Sequence, residues 1–403
     1  MDTLPTVLVR PGEANRILAG HPWLYHGSVL RLTAPINDGE VVQVKDHRQR
    51  LLGIGFYNSR SKINVRMLAN DRVPIDEAFF NQRIRAALAV RQRHLPKATS
   101  FRVVNAESDF LSGLIVDKYE DVLVVQTSSL GMDQRKSLIV AALQKIFLPR
   151  AILERNDVAS RKFEGLSDAS GLIAGKLTGE VRVNLNGLHF GVDLMGGQKT
   201  GLYLDQQLNY QRVAELAAAY PNAQVLDCFC FLGGFSLHAA RAGVANVYGL
   251  DQSAEAVANA TRAAAANGLS EKCTFEAVNV FDWLKSRTAL PPSEKLIPPF
   301  DVIVLDPPSF TRNRATVPDA LRGYKEIHLR ALKLLKPGGT LATFCCSHHV
   351  DAALFMDVIL DAAFDAHKML RRVATYGQGP DHPVIPAIAE TEYLKGFAFE
   401  VLP

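Results

Sequence analysis

Val302, Ile303, Val304 and Leu305 run without a polar break into Asp306-Pro307-Pro308-Ser309-Phe310. A strand with no alternation is covered on both faces, as in a parallel sheet packed between helices. The carboxylate arrives where the strand stops, and two prolines then stiffen the chain and remove two backbone donors. Carbonyls left there can accept hydrogen bonds from an amino group on a planar base. The surrounding rhythm agrees. Residues 225–228, 247–250, 274–278 and 340–344 read as further strands. Helices are expected after Gly233-Gly234, over 254–267 and over 319–335, the last stopped by Pro337-Gly338-Gly339. Strand–helix alternation from about residue 186 implies an α/β fold with a parallel sheet covered on both faces. Ligands of such sheets collect beyond the carboxyl ends of the strands.

The 403 residues are enough for two to three domains, and the rhythm changes twice. Residues 1–72 hold short strand-like runs at 7–9, 40–44, 51–57 and 63–68, separated by turn residues such as Gly12, Pro22, Asp38-Gly39 and Asn58. That spacing predicts a small β-barrel or sandwich. Arg60, Lys62 and Arg66 alternate with Ser61, Ile63 and Val65, which puts the charges on one side of a strand. Residues 73–185 read as an α+β unit. A helix over 74–94 carries an apolar face of Ile75, Phe79, Ile84, Leu88 and Val90, with Arg83, Arg85, Arg91 and Arg93 on its surface. A strand at 101–105, a hairpin over 114–126, a helix over 133–147 and a strand at 151–154 follow. Residues 186–403 form the third part.

The formal charge of +4 is unevenly spread. Residues 1–100 hold 15 Lys+Arg against 8 Asp+Glu, a net of +7, and the rest of the chain is at −3. A basic front end on a near-neutral body suits a polyanionic partner. No uncharged stretch reaches the ~18 apolar residues of a membrane span, and the first residues lack a secretion signal. A soluble, cytoplasmic protein is expected. Five cysteines without a C-x-x-C pair exclude a disulfide framework or a typical zinc site. His348-His349 is not a metal pair, because adjacent residues rarely point at one ion.

Two more patterns carry chemistry. The first is Val225-Leu226-Asp227-Cys228-Phe229-Cys230-Phe231-Leu232-Gly233-Gly234-Phe235, a strand entering a glycine turn. Glycine there lets a ligand approach the backbone closely. Asp251 closes the next strand, 24 residues beyond Asp227, where a carboxylate can accept both hydroxyls of a ribose. The pattern is not G-x-G-x-x-G, which argues against a dinucleotide and against hydride transfer. The second is Cys345-Cys346-Ser347-His348 at the end of the strand over 340–344. In the usual sheet order that strand lies beside the one ending at Asp306. Cys345 reads as an inert small hydrophobe, and Cys346, at the strand exit, as the candidate nucleophile.

Gly233-Gly234, Asp251 and Asp306-Pro307-Pro308 resemble the motifs of class I S-adenosylmethionine-dependent methyltransferases. The resemblance extends along the chain. Gly20-His21-Pro22-Trp23 and Gly53-Ile54-Gly55-Phe56-Tyr57-Asn58 look like the PUA domain of bacterial rRNA large-subunit methyltransferases. Asn105-Ala106-Glu107-Ser108-Asp109 and Gly113-Leu114-Ile115-Val116-Asp117 resemble their central domain. The segment from Lys199-Thr200 to Asp205-Gln206 resembles the lead into their catalytic domain. Asp381-His382-Pro383 and Tyr393-Leu394-Lys395-Gly396-Phe397 resemble their closing hairpin. The nearest group is the RlmI type, which methylates C5 of a cytosine in 23S rRNA.

This resemblance implies a PUA-like RNA-binding β-barrel over 1–72, a central α+β domain over 73–185 and a Rossmann-like methyltransferase domain over 186–403. It implies S-adenosyl-L-methionine as cofactor, with Asp251 on its ribose, Asn279 on its adenine and the turn from Phe229 to Gly233 and Gly234 on its methionine part. Asp227 belongs to that turn's motif, and Tyr203 and Asp205 match a cofactor-side segment. Asp306, Pro307 and Pro308 would hold the target base beside the cofactor, and Cys346 matches the family nucleophile. Arg60, Lys62 and Arg66 are the expected phosphate contacts on 23S rRNA or a large-subunit precursor. Nothing decides between a monomer and a homodimer.

The implied chemistry follows from cytosine. Its C5 is a poor nucleophile until a thiolate adds at C6, which makes C5 enamine-like. Asp306 would stabilise the protonated N3 of the adduct. The base must be unstacked, so single-stranded or opened RNA is expected. Ser309 stands where the better-known RNA cytosine-C5 enzymes have a second cysteine, and RlmI-type members also lack it; the C5 proton is left to His348 or water. Asn279 stands where many relatives have Asp, and Cys230 where they often have Ser. Two other readings remain: an rRNA guanine N-methyltransferase that uses Asp306-Pro307-Pro308 and needs no cysteine, and an RNA-binding assembly factor without catalysis.

Overall fold

Aliphatic residues in short runs build the front of the chain as six strands: β1 (Thr6–Val9), β2 (Trp23–Tyr25), β3 (Val29–Leu32), β4 (Val41–Lys45), β5 (Leu51–Tyr57) and β6 (Ile63–Ala69), with a short helix α1 (Ala14–Leu18) after β1. They form one sheet in the order β2-β6-β5-β4-β1-β3. Val7, Val9, Val42, Val44 and Val65 share a core that Leu24 of β2 and Val29 and Leu32 of β3 also reach. Both end strands thus close on the same cluster, as in a sheet rolled toward a barrel. The computed structural model describes residues 4–196, 201–289, 296–311 and 313–402. Lys199 and Thr200, part of the expected lead into the catalytic domain, lie outside the described residues.

Helix α2 (Glu77–His94) starts at Asp76, whose side chain accepts from Phe79 N. A five-stranded sheet follows, in the order β11-β10-β9-β8-β7. Its strands are β7 (Phe101–Asn105), β8 (Leu114–Tyr119), β9 (Val122–Thr127), β10 (Ala151–Arg155) and β11 (Ser170–Gly175), with helices α3 (Leu130–Gln134) and α4 (Lys136–Phe147) between β9 and β10. Arg91 departs from its expected place on the helix surface. It is 0% exposed, with a bidentate pair to Asp109 at 2.5 and 2.7 Å and a bond to the main-chain oxygen of Asp381 at 2.8 Å. A buried guanidinium persists only when paired and fully hydrogen-bonded.

By contacts the chain divides in two. The first unit is Met1–Val183 with Val192–Leu204 and Pro380–Thr391; the second is Asn184–Gly191, Asp205–Gly379 and Glu392–Pro403. The first therefore closes with a segment from near the far end of the chain. There Asp381 also accepts from Arg102 N at 3.0 Å, and Glu390 meets His21 at 3.1 Å and Arg16 at 3.3 Å. A ribbon of β12 (Val181–Leu185) and β13 (Leu188–Val192) lies where the chain passes from one unit to the other.

The second unit is a seven-stranded sheet in the order β16-β15-β14-β17-β18-β20-β19. Its strands are β14 (Gln224–Cys228), β15 (Asn246–Asp251), β16 (Cys273–Ala277), β17 (Phe300–Leu305), β18 (Leu335–Cys345), β19 (Leu370–Tyr376) and β20 (Lys395–Val401). Helices α5 (Gln207–Ala218), α6 (Gly234–Arg241), α7 (Ala254–Ala266), α8 (Val280–Thr288), α9 (Val317–Leu334) and α10 (Ala352–Asp365) cover it. From β16 to β18 the pairing is parallel; β20 runs antiparallel between β18 and β19, so the sheet is mixed rather than wholly parallel. The strand expected to start at Thr340 begins at Leu335 and passes through Gly338, whose φ of +77° only glycine adopts cheaply. Asp381-His382-Pro383 lies in the loop between β19 and β20, not in the hairpin strands. The strand order reverses beside β14, so the carboxyl ends of β14 and β17 flank the crevice where such folds bind ligands.

Candidate active site

Everything of chemical interest in the second unit gathers at those strand ends. After β14 the chain turns through Phe229 (φ +67°), Phe231 (φ +48°) and Gly233 (φ +78°), and α6 begins at Gly234. Two non-glycine residues in the left-handed region are a strained arrangement that the surroundings must hold. Asp251 does so: its Oδ2 accepts from Phe231 N at 3.0 Å and its Oδ1 from Ser253 N at 2.9 Å. Side chains at the glycines would collide. A Cβ on Gly233 would stand 3.2 Å from the Phe275 ring, and one on Gly234 2.5 Å from Tyr210.

Asp227 is fully buried. Its Oδ2 accepts from Ser236 N at 3.0 Å and Ser236 Oγ at 2.6 Å, which ties the strand end to the first turn of α6, while Oδ1 has no partner. Burial pushes this carboxyl up to about 7. These residues fit a nucleoside-bearing sulfonium cofactor. Asp251 is half-buried, and each of its oxygens, with one backbone donor apiece, keeps a lone pair for a vicinal diol. Asn279 caps α8, its Oδ1 accepting from Phe281 N at 2.9 Å and Asp282 N at 3.3 Å, so its amide N–H groups are what it has to offer a base. Phe229, Phe281 and Phe310 pack edge to face and tilted, with centroids 5.6 to 6.5 Å apart, above this rim.

The second half of the site comes from neighbouring strands. Leu305 pairs with Thr343, so Asp306 leaves β17 level with Phe344, and Cys346 leaves the neighbouring β18 two residues further along. Asp306 is half-buried, Pro307 buried and Pro308 exposed. An amide relay holds the carboxylate. Asn209 Nδ2 donates to Gln206 Oε1 at 2.7 Å and to Gly377 O at 2.9 Å, and Gln206 Nε2 donates to Asp306 Oδ2 at 3.1 Å. Of the five cysteines, Cys228, Cys230, Cys273 and Cys345 are buried, and Cys346 alone is half-exposed. Burial pushes the thiols of Cys228 and Cys230 far up and that of Cys273 to about 12, so none of these forms a thiolate at neutral pH.

Lys395 opens β20 opposite Cys345. Its Nζ donates to Ser347 O at 2.6 Å and Tyr393 O at 2.7 Å, which fixes an ammonium beside the Cys346 loop. Burial lowers its pKa, while the Cys345 and Cys346 thiols and the Asp351 and Glu392 carboxylates raise it. Ser309 Oγ and Ser347 Oγ meet at 2.7 Å and join the two loops. Gln206 and Lys395 lie inside segments of family resemblance, which was the available signal for them; Asn209 lies outside those segments, and no signal in the sequence points to it.

The remaining expected residues are dispersed. Asp205 Oδ2 accepts from the Tyr393 hydroxyl at 2.6 Å, and Tyr203 belongs to the first unit. Arg60 and Lys62 are exposed in the turn before β6 rather than on the strand. Arg66 departs from the expected phosphate contact. It is 13% exposed, and its guanidinium binds Glu164 at 2.9 Å and Ser112 at 3.2 Å under the Trp23 ring. Among the described residues no helix is long and apolar enough to cross a membrane.

Comparison with known proteins agrees with this geometry. Residues 7–70 match the PUA-like domain family, and residues 151–397 match the S-adenosylmethionine-dependent methyltransferase family. The chain is 38% identical over 400 residues to the ribosomal RNA large subunit methyltransferase I of Shewanella amazonensis, covering 98% of this chain and 99% of that one. It is 37% identical over 403 residues to the protein of the same name from Klebsiella pneumoniae subsp. pneumoniae, covering 99% and 98%. A solved Streptococcus mutans chain described as a SAM-dependent methyltransferase shares the fold with a TM-score of 0.81 at 20% identity, covering 98% of this chain and 100% of that one. A cofactor-fitting turn at the switch point, a front unit of the PUA-like family and full-length likeness to these relatives converge, and the chain belongs to the S-adenosylmethionine-dependent methyltransferases of the ribosomal RNA large subunit methyltransferase I family.

Proposed function

We propose that this enzyme methylates C5 of a cytosine in 23S rRNA, with Cys346 as the covalent nucleophile. The observation that carries the reading is that Cys346 is the one cysteine of five that reaches solvent, at the end of the strand next to Asp306. Bound S-adenosylmethionine supplies an electrophilic methyl group, with Asp251 toward its ribose and Asn279 toward its adenine. Cys346 thiolate forms a bond to C6 of the cytosine, and the electron pair moves toward C5. The Lys395 ammonium favours the thiolate over the thiol. N3 takes up a proton from water as the thiolate adds and gives it back when the thiolate departs; Asp306, held by Gln206, accepts a hydrogen bond from that N3–H and keeps the base oriented. Once C5 carries the methyl group, its proton leaves to His348 or water, and the thiolate departs.

The substrate is an unpaired cytosine of the rRNA or of a large-subunit precursor, and the reaction belongs in the cytoplasm. The test is nucleoside mass spectrometry of unmodified 23S rRNA incubated with enzyme and S-adenosylmethionine. Wild type makes 5-methylcytidine and Cys346→Ala makes none. A transcript bearing 5-fluorocytidine should form a complex with wild type that survives denaturation, because fluorine cannot leave C5 as the proton does. Methylguanosine from both proteins would refute the nucleophile and favour direct attack by a base nitrogen.

A further inference from the structure

The first unit carries an aromatic ring in a position that folding does not require. The turn Ala159–Glu164 is a 3₁₀ helix, closed by Gly165 at φ +76°. With three residues per turn, Arg161 and Glu164 eclipse each other, and both point inward. Arg161 is buried, with Nε donating to Ser167 O at 2.9 Å and Nη1 to Asp133 Oδ1 at 3.0 Å. Glu164 is also buried. Its carboxylate accepts from Ser61 Oγ at 2.6 Å, Asn58 Nδ2 at 2.9 Å, Arg66 Nη2 at 2.9 Å and Leu130 N at 3.3 Å. The two residues between them project to either side of that inward line, about 120° from it. Lys162 is exposed, and Phe163 is 73% exposed.

The same clamp fixes what stands beside the ring. Asn58 and Ser61 bracket Arg60, and Lys62 follows; both cations are exposed. A Cβ on Gly165 would lie 3.0 Å from Arg60 Cδ, so the arginine stem lies across that glycine, two residues from Phe163. Asp38, 3.6 Å from Arg60, is its paired carboxylate, and Glu164 is spent on Arg66. A solvent-facing ring that follows Lys162, on a turn packed against the one bearing Arg60 and Lys62, suits a nucleotide. Its π face suits any base, and the cations suit the flanking phosphates. A phenylalanine left in water forgoes the stabilisation that burial would give it, and nothing in the turn needs an aromatic residue there.

We propose that Phe163, with Lys162, Arg60 and Lys62, is a platform on which one unpaired base of the substrate RNA stacks, its phosphates lying on the three cations. The platform joins the 58–62 turn of the six-stranded sheet to the 159–165 turn beyond the five-stranded one, and it rests on the reading of rRNA as substrate. It serves affinity and not chemistry, so it acts on KM and Kd.

The test compares wild type, Phe163→Ala, Phe163→Trp and Phe364→Ala on protein-free, unmodified 23S rRNA. Phe364 is another highly exposed phenylalanine, on α10 of the other unit, and serves as control. Phe163→Ala should weaken RNA binding and raise KM by roughly 5- to 150-fold, with kcat at saturating RNA unchanged. Phe163→Trp should bind as wild type, and Phe364→Ala should change nothing. Lys62→Ala should lower the slope of log Kd against log salt by about 0.7 to 0.9. Wild-type affinity in Phe163→Ala, with methylation intact, would overturn the platform and leave a protein contact as the use of the ring. Equal losses in the alanine and tryptophan variants would overturn stacking. Absence of rRNA binding and methylation by the wild type would instead remove the substrate reading, and the platform with it.

Discussion

Asp227, His238 and His328 are buried groups whose protonation is coupled to folding. His238 donates from Nδ1 to Gly234 O and His328 from Nδ1 to Tyr324 O, and burial lowers both from an ordinary 6.5 to about 4. The unfolded chain protonates them first, so their contribution is lost as pH falls from 6.5 toward 4. Asp227 works the other way. Its carboxyl is raised from an ordinary 3.8 to about 7, so the native state holds the proton longer and stability falls as pH rises across that window. Asp227→Asn removes this opposition. Its stability relative to wild type, from urea unfolding, should improve steadily between pH 4 and 7, by up to about 1.4 kcal/mol per pH unit. His328→Gln should flatten the acid limb between 4 and 6.5. A pH-independent difference between Asp227→Asn and wild type would mean that Asp227 is ionised in the native protein throughout.

At the scale of elements, Asn279 serves two masters. Its Oδ1 caps α8, and its amide nitrogen is the part available to adenine. Asn279→Asp keeps the acceptor and adds charge at a helix N-terminus, which the dipole favours. Asn279→Ala loses both functions. The alanine variant should therefore lose about 1 kcal/mol of stability and bind S-adenosylmethionine more weakly, as read by denaturation and calorimetry. The aspartate variant should keep stability while its cofactor affinity changes. Equal cofactor affinity in all three would remove the adenine contact.

The same scale explains what was legible in the sequence. β17 carries the uninterrupted aliphatic run Val302 to Leu305, a pattern that announces a covered strand by itself, and β14 is marked by Val225-Leu226 entering a glycine turn. β2 has three residues and β3 four, too few to establish a period. The direction of β20 is set by its neighbours β18 and β19, and no local pattern states it. At the site, the strand-end acids and thiol were legible because the topology exposes strand ends. Gln206 and Asn209 were not, since amides at a helix start read as solvent-facing until they are seen to bond one another. Arg66 and Arg91 misled for a related reason. Each is drawn inward by a carboxylate, Glu164 or Asp109, that lies 98 or 18 residues away.

For the whole molecule, the discontinuous first unit has a measurable cost. A fragment of residues 1–204 contains its first two pieces but lacks Pro380–Thr391. Arg91 then loses the Asp381 carbonyl, Arg102 N loses the Asp381 carboxylate, and His21 and Arg16 lose Glu390. An unmet buried donor costs about 1–3 kcal/mol, so the fragment should unfold at lower urea than the same unit in the full chain. Hydrogen exchange in α2 and β7 should be faster; exchange as slow as in the full chain would show that the returning segment is dispensable. That segment also sets a clock on synthesis. At about 5–20 residues per second, roughly 10 to 40 s separate the emergence of Val183 from that of Asp381. Throughout that interval the growing chain holds Arg91 and Arg102 without their last partner. The first unit is thus begun first and finished nearly last, and a nascent-chain chaperone has that whole interval in which to find it.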